Sequence, residues 1–66
     1  MDDIDIFRAA TVLIKQHGHD AQLVAIKRAT EMLNVGDVDG HAVWKRIVDA
    51  IKDMERETPR PGEQRH

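Results

Sequence analysis

The strongest constraint on this sequence is that its helical periodicity stops and restarts at Asn34–Val35–Gly36–Asp37–Val38–Asp39–Gly40. Glycine takes a left-handed backbone at little cost, and aspartate caps a following helix. Such a run therefore ends one helix and starts another. Gly18–His19–Asp20 makes a second, smaller interruption. The two breaks divide 66 residues into three amphipathic segments. They predict one all-α domain over residues 1–57, a compact three-helix bundle, followed by a disordered tail over residues 58–66.

The first segment spans Asp3 to His17. Ile6, Phe7, Ala9, Ala10, Leu13 and Ile14 share one broad face when residues are placed 100° apart. His17 falls in the same arc and is expected to be partly buried. The second segment runs from Asp20, read as its N-cap, to Asn34. Ala21, Ala25, Ala29 and Met32 form its stripe, widened by Ile26 and Leu33. A row of alanines makes a shallow face that lets a neighbouring helix come close. The third segment runs from an Asp39 N-cap to Glu57. Val43, Ile47, Ala50, Ile51 and Met54 carry the clearest period in the chain, with Trp44 flanking it as a core residue. Short connections predict that neighbouring segments run antiparallel. Beyond Thr58, Pro59, Pro61 and Gly62 sit among charged groups with no apolar anchor. No internal repeat stands out.

A chain this short buries only about 60% of the surface that its unfolded form exposes, so its stability is marginal. Cysteine is absent, so neither a disulfide nor a thiolate metal site reinforces the core. With aromatic residues at 3%, the core is mostly aliphatic. No run of about 18 apolar residues could span a membrane. Met1–Asp2–Asp3 lacks the basic start of a secretory signal, which predicts a cytoplasmic protein.

Few residues suggest chemistry. Gly36–Asp37–Val38–Asp39–Gly40 resembles a calcium loop only superficially. Numbering from Asp37 puts Val48 at the twelfth ligand position, and fitting Gly40 to the glycine slot puts Arg46 there. Neither supplies the bidentate acid. His17, His19 and Asp20 cluster in sequence, but a metal site also needs convergent geometry and a further ligand. His41 and His66 have no comparable neighbours. Thr11, Thr30 and Thr58 are the only hydroxyl side chains, and none adjoins a histidine. A chain this small is not expected to enclose a pocket of several hundred Å3, so neither catalysis nor a cofactor is expected.

Nucleic-acid binding would draw on Lys45, Arg46, Lys52 and Arg56 of the third segment. Asp49 and Asp53 interrupt that series, and the formal net charge is −2. A nucleic-acid binder concentrates positive charge to displace counterions. The aliphatic residues left outside the stripes are more informative. Ile4, Val12, Leu23, Val24 and Val35 do not all fit one interior, and clustered apolar surface marks an interface. They point to a protein partner or a homodimer.

Asp5–Ile6–Phe7–Arg8–Ala9–Ala10, Leu13–Ile14–Lys15–Gln16–His17–Gly18, Gly36–Asp37–Val38–Asp39–Gly40 and Val43–Trp44–Lys45–Arg46–Ile47 carry one further signal. Over about residues 4 to 54 the chain resembles a family of small alphaproteobacterial helical proteins, a domain of unknown function. The resemblance implies a bacterial cytoplasmic origin and supplies no catalytic or ligand residues. The expectation is a non-enzymatic protein–protein interaction module, with a nucleic-acid-associated regulator as the alternative.

Overall fold

A computed structural model describes residues 3–57. The expected tail over 58–66 lies outside them. The described chain is all-α. It comprises α1 (Asp3–His17), a 3-10 turn (Gly18–Asp20), α2 (Ala21–Asn34) and α3 (Val38–Glu57). Only one segment outside helical turns, 35–37, interrupts the described residues, so the chain forms two helical stretches, 3–34 and 38–57, rather than three helices separated by loops. The first break is a tight turn inside the first stretch. Gly18 takes φ +58°, which ends α1, and 3-10 bonding restarts at once. Asp20 holds the position before α2, but its side chain makes no capping hydrogen bond.

The second break is tighter than the sequence suggests. Only Val35, Gly36 and Asp37 leave the helix. Gly36 has φ +81°, its N–H donates to Leu33 O at 3.0 Å, and the Asp37 N–H donates to Met32 O at 2.8 Å. These paired bonds satisfy the last carbonyls of α2 in a Schellman motif. Asp37, not Asp39, caps α3: Gly40 N–H donates to its carboxylate at 2.8 Å. Bonding to the third helical N–H moves the helix start forward to Val38.

The core joins Ile6 and Ala10 of α1, Ala21 and Ala25 of α2, and Ile47, Val48 and Ile51 of α3. Leu13, Ile14, Val43, Trp44 and Met54 pack around it, half-buried. Ile51 is the one large side chain that is fully buried among the described residues. Two polar contacts tie α2 to α3. His41 Nδ1 lies 2.9 Å from the Ala29 carbonyl oxygen, which can only accept. Gln22 Nε2 donates to Glu55 Oε1 at 2.6 Å.

Two outcomes follow from this packing. Ile51→Ala removes the most enclosed side chain at a cost of about 2–5 kcal/mol. A domain of this size rarely has more than about 3–5 kcal/mol to lose. Circular dichroism at 25 °C should therefore show the variant largely unfolded; a cooperative melt near the parent midpoint would refute the core assignment.

The second outcome concerns Gly40. An added Cβ there would lie 2.6 Å from Asp37 Oδ2. Helix propensity favours alanine by about 1 kcal/mol, while loss of the cap costs about the same. Gly40→Ala should leave the melting temperature unchanged in the parent but raise it in an Asp37→Ala background. Equal effects in the two backgrounds would show that the carboxylate does not cap.

Candidate interaction surfaces

α1 turns Ile6 and Ala10 inward, and this moves Phe7 to its flank. Phe7 is 60% exposed, not part of the interior as its place in the apolar arc implies. In α2 the inward residues are Ala21, Ala25 and Ala29. Ile26 and Leu33 are consequently 44% and 53% exposed, not part of the buried stripe. In α2 alanine occupies the whole contact line, which leaves little room for a bulky side chain one step around the helix, whereas in α1 Ile6 and Ala10 hold that line and Phe7 stands beside it.

Of the expected interface residues, Ile4, Val12, Leu23 and Val35 are exposed, and Val24 is half-buried. Val12 projects from α1 on the side opposite Ile6 and Ala10 by the helical wheel. Leu23 instead joins Ile26, Thr30 and Leu33. Their 3-4-3 spacing is that of a helix-pairing seam. Val35 follows immediately, at the helix end. The sequence signal for this seam was its spacing, but the alanine row offered a competing stripe on the same helix.

Ile26–Lys27–Arg28–Ala29–Thr30–Glu31–Met32–Leu33 also repeats most of Phe7–Arg8–Ala9–Ala10–Thr11–Val12–Leu13–Ile14 in side-chain type. Burial follows the correspondence. Ala10 and Ala29 are enclosed, while Phe7 and Ile26 are exposed.

A second surface is the groove between α1 and α3. At one end, Phe7, Thr11, Ile14, Lys15, His19 and Met54 are among the residues bordering a hollow of about 510 Å3. A concavity of several hundred Å3 is thus formed by this short chain, as a solvent-open groove. At the other end, Asp3, Ile6, Phe7, Arg46, Asp49 and Asp53 border a hollow of about 280 Å3. Phe7 borders both. Thr11 donates its hydroxyl proton to Phe7 O at 3.0 Å, so it turns back on its own helix.

The other candidate groups are dispersed. His17, His19 and Asp20 are exposed. Among the described residues no group of three or more histidine, cysteine, aspartate or glutamate side chains gathers to hold an ion. The exposure of His17 differs from its expected partial burial, because α1 ends at that residue with no helix packed over it. Lys45, Arg46, Lys52 and Arg56 are exposed, but Arg46 stands among Asp3, Asp49 and Asp53. Arg56 pairs with Asp53 at 3.9 Å. That exposed pair and Arg28–Glu31 at 3.6 Å each contribute little to stability. No described helix is long and apolar enough to cross a membrane.

Compared with protein families, curated proteins and solved structures, the chain matches none. These comparisons therefore show no family for it.

The division between inward and flanking positions is measurable. Ile6→Ala should lower stability by about 2–4 kcal/mol. Phe7→Ala, one residue on, should change it by less than about 1 kcal/mol. Urea denaturation gives both values, and a larger loss at Phe7 than at Ile6 would reverse the assignment.

Proposed function

We propose that this chain is a non-enzymatic protein–protein interaction module, its three helical segments packed as one bundle that presents an apolar seam to a helical partner. The observation that carries this reading is the exposed row Leu23, Ile26 and Leu33 on α2. A domain with so small an interior gains stability by placing such side chains inside. Leaving them outside in helix-pairing register favours a role at a contact. The absence of cysteine and serine nucleophiles supports the non-enzymatic part. On the motif resemblance, we extend the proposal to a bacterial, cytoplasmic protein. The nucleic-acid alternative is weaker, because carboxylates stand beside Arg46 and Arg56.

The seam can be tested by capture from the native host with the parent chain and the Leu23→Glu/Leu33→Glu variant as baits. Both positions are exposed, so the variant should keep its helical spectrum. A protein retained in near-stoichiometric amount by the parent and lost from the variant is the expected result. Equal retention by both would overturn the seam as the contact surface.

A further inference from the structure

We infer that Asp39–Gly40 is a site of spontaneous isoaspartate formation, and that the Asp37 cap of α3 sets the rate of this modification. The inference is independent of the interaction-module reading and uses neither the α2 seam nor the α1–α3 groove.

The first observation is chemical. Asp39 is the one aspartate in the chain that precedes a glycine, and no asparagine does. The main-chain nitrogen of the following residue can attack an aspartyl side chain. A bond then forms between the Gly40 nitrogen and Asp39 Cγ. The Cγ–OH bond breaks, and the hydroxyl leaves as water with the amide proton. The resulting five-membered succinimide takes up one water. Attack at Cγ restores aspartate. Attack at the Asp39 main-chain carbonyl breaks its bond to the Gly40 nitrogen, and the chain then runs through Cγ as isoaspartate. A side chain on the following residue hinders ring closure, and Gly40 has none.

The second observation is geometric. Gly40 is the third residue of α3, in the first turn, where N–H groups have no partner within the helix. Its N–H donates to Asp37 Oδ1 at 2.8 Å. The carboxylate lies directly over this residue, so that a Cβ added at Gly40 would stand 2.6 Å from Oδ2 and 2.8 Å from Cγ. Ring closure requires the Gly40 nitrogen to release its proton and to face Asp39 Cγ. A charge-assisted bond to a carboxylate holds that proton in place. A helical ψ of about −42° keeps the nitrogen turned away from Cγ. The capped first turn is therefore protected, and reaction proceeds when that turn opens. Helix ends open at far lower free energy than the whole fold. Asp39 is exposed, so water reaches the ring once it forms.

The third observation concerns the consequence. Isoaspartate adds a methylene to the main chain between Asp37 and His41. Three bonds depend on that spacing. Gly40 N–H donates to the Asp37 carboxylate, His41 N–H donates to Asp37 O at 2.9 Å, and His41 Nδ1 lies 2.9 Å from Ala29 O. A longer main chain puts them out of register with one another. The modification therefore loosens the start of α3 from α2, and the cap guards the junction chemically as well as structurally.

Ageing the full chain at neutral pH over several weeks tests this assignment. Peptide mapping with electron-transfer fragmentation counts isoaspartate at each aspartate, and each rate is divided by that of the same chain in concentrated urea. The parent should react at least tenfold more slowly folded than unfolded, with Asp39 the leading site in urea. Asp37→Ala should raise the folded rate about fivefold, while Asp37→Ser, which keeps a capping oxygen, should stay within about twofold of the parent. Ile47→Val weakens the core away from this turn and should also leave the rate near the parent value. Circular dichroism verifies folding. If Asp37→Ala does not fold, the folded-to-unfolded ratio of the parent and the Ile47→Val rate decide. A parent equally reactive folded and unfolded overturns the inference. So does an Asp37→Ala rate at or below the parent's, which would make the carboxylate a base that assists closure. An Ile47→Val rate raised as far as that of Asp37→Ala, or severalfold above the parent, would assign the reaction to unfolding of the whole chain and overturn it too.

Discussion

Close helix contact through alanine is the constraint on which the rest of this structure depends. Ala21, Ala25 and Ala29 have at most 4% of their surface exposed. A methyl group is the largest side chain each contributes, so α3 packs nearly onto the backbone of α2. Such contacts are dense and gain dispersion energy. They bury little apolar area per residue, however, and burial contributes about 25 cal/mol per Å2. Bulk must then come from elsewhere. Ile6, Ile47, Val48 and Ile51 supply it from α1 and α3. Phe7, Ile26 and Leu33, which a wider helix separation would enclose, are left on the flanks.

A shallow interior gives local backbone terms unusual weight. The turn after α2 satisfies its carbonyls through Gly36 and Asp37, and the Asp37 side chain then caps α3. One short segment therefore both ends a helix and starts the next, with a left-handed residue only where glycine stands. His41 and Gln22 add directional bonds across the α2–α3 contact, where alanine fixes the separation but not the register. Met32 lies near enough to Gly40 that a Cβ there would meet its sulfur at 3.0 Å. The small residue at Gly40 thus serves the cap and the approach of the two helices together.

Helix positions and the inward alanines were legible in the sequence because both follow from periodicity and turn chemistry. Gly18 and Gly36 end their helices as expected, and Trp44 packs against the core. What could not be read was the centre of each apolar arc. On α1, Ile6, Phe7, Ala10 and Ile14 all fit one broad face, and only packing against α3 decides that Ile6 is enclosed and Phe7 is not. The start of α3 was misplaced for a related reason. Asp37 and Asp39 are both good caps in isolation, and the selection depends on which carboxylate reaches the Gly40 N–H. The α1–α3 groove is harder still to anticipate, since it combines side chains distant in sequence.

The correspondence between Phe7–Ile14 and Ile26–Leu33 bears on whether the exposed residues are incidental. Scattered aliphatic exposure is ordinary for any folded surface. Here α1 and α2 share one arrangement: a large apolar residue on the flank, an enclosed alanine three positions later, and threonine directly after it. The flank residue lies outside because the alanine lies inside. The exposed apolar flanks are therefore a geometric consequence of the way the interior is built. A chain folded in this manner retains apolar ridges on two faces, and covering either ridge requires atoms that the described residues 3–57 do not bring to it.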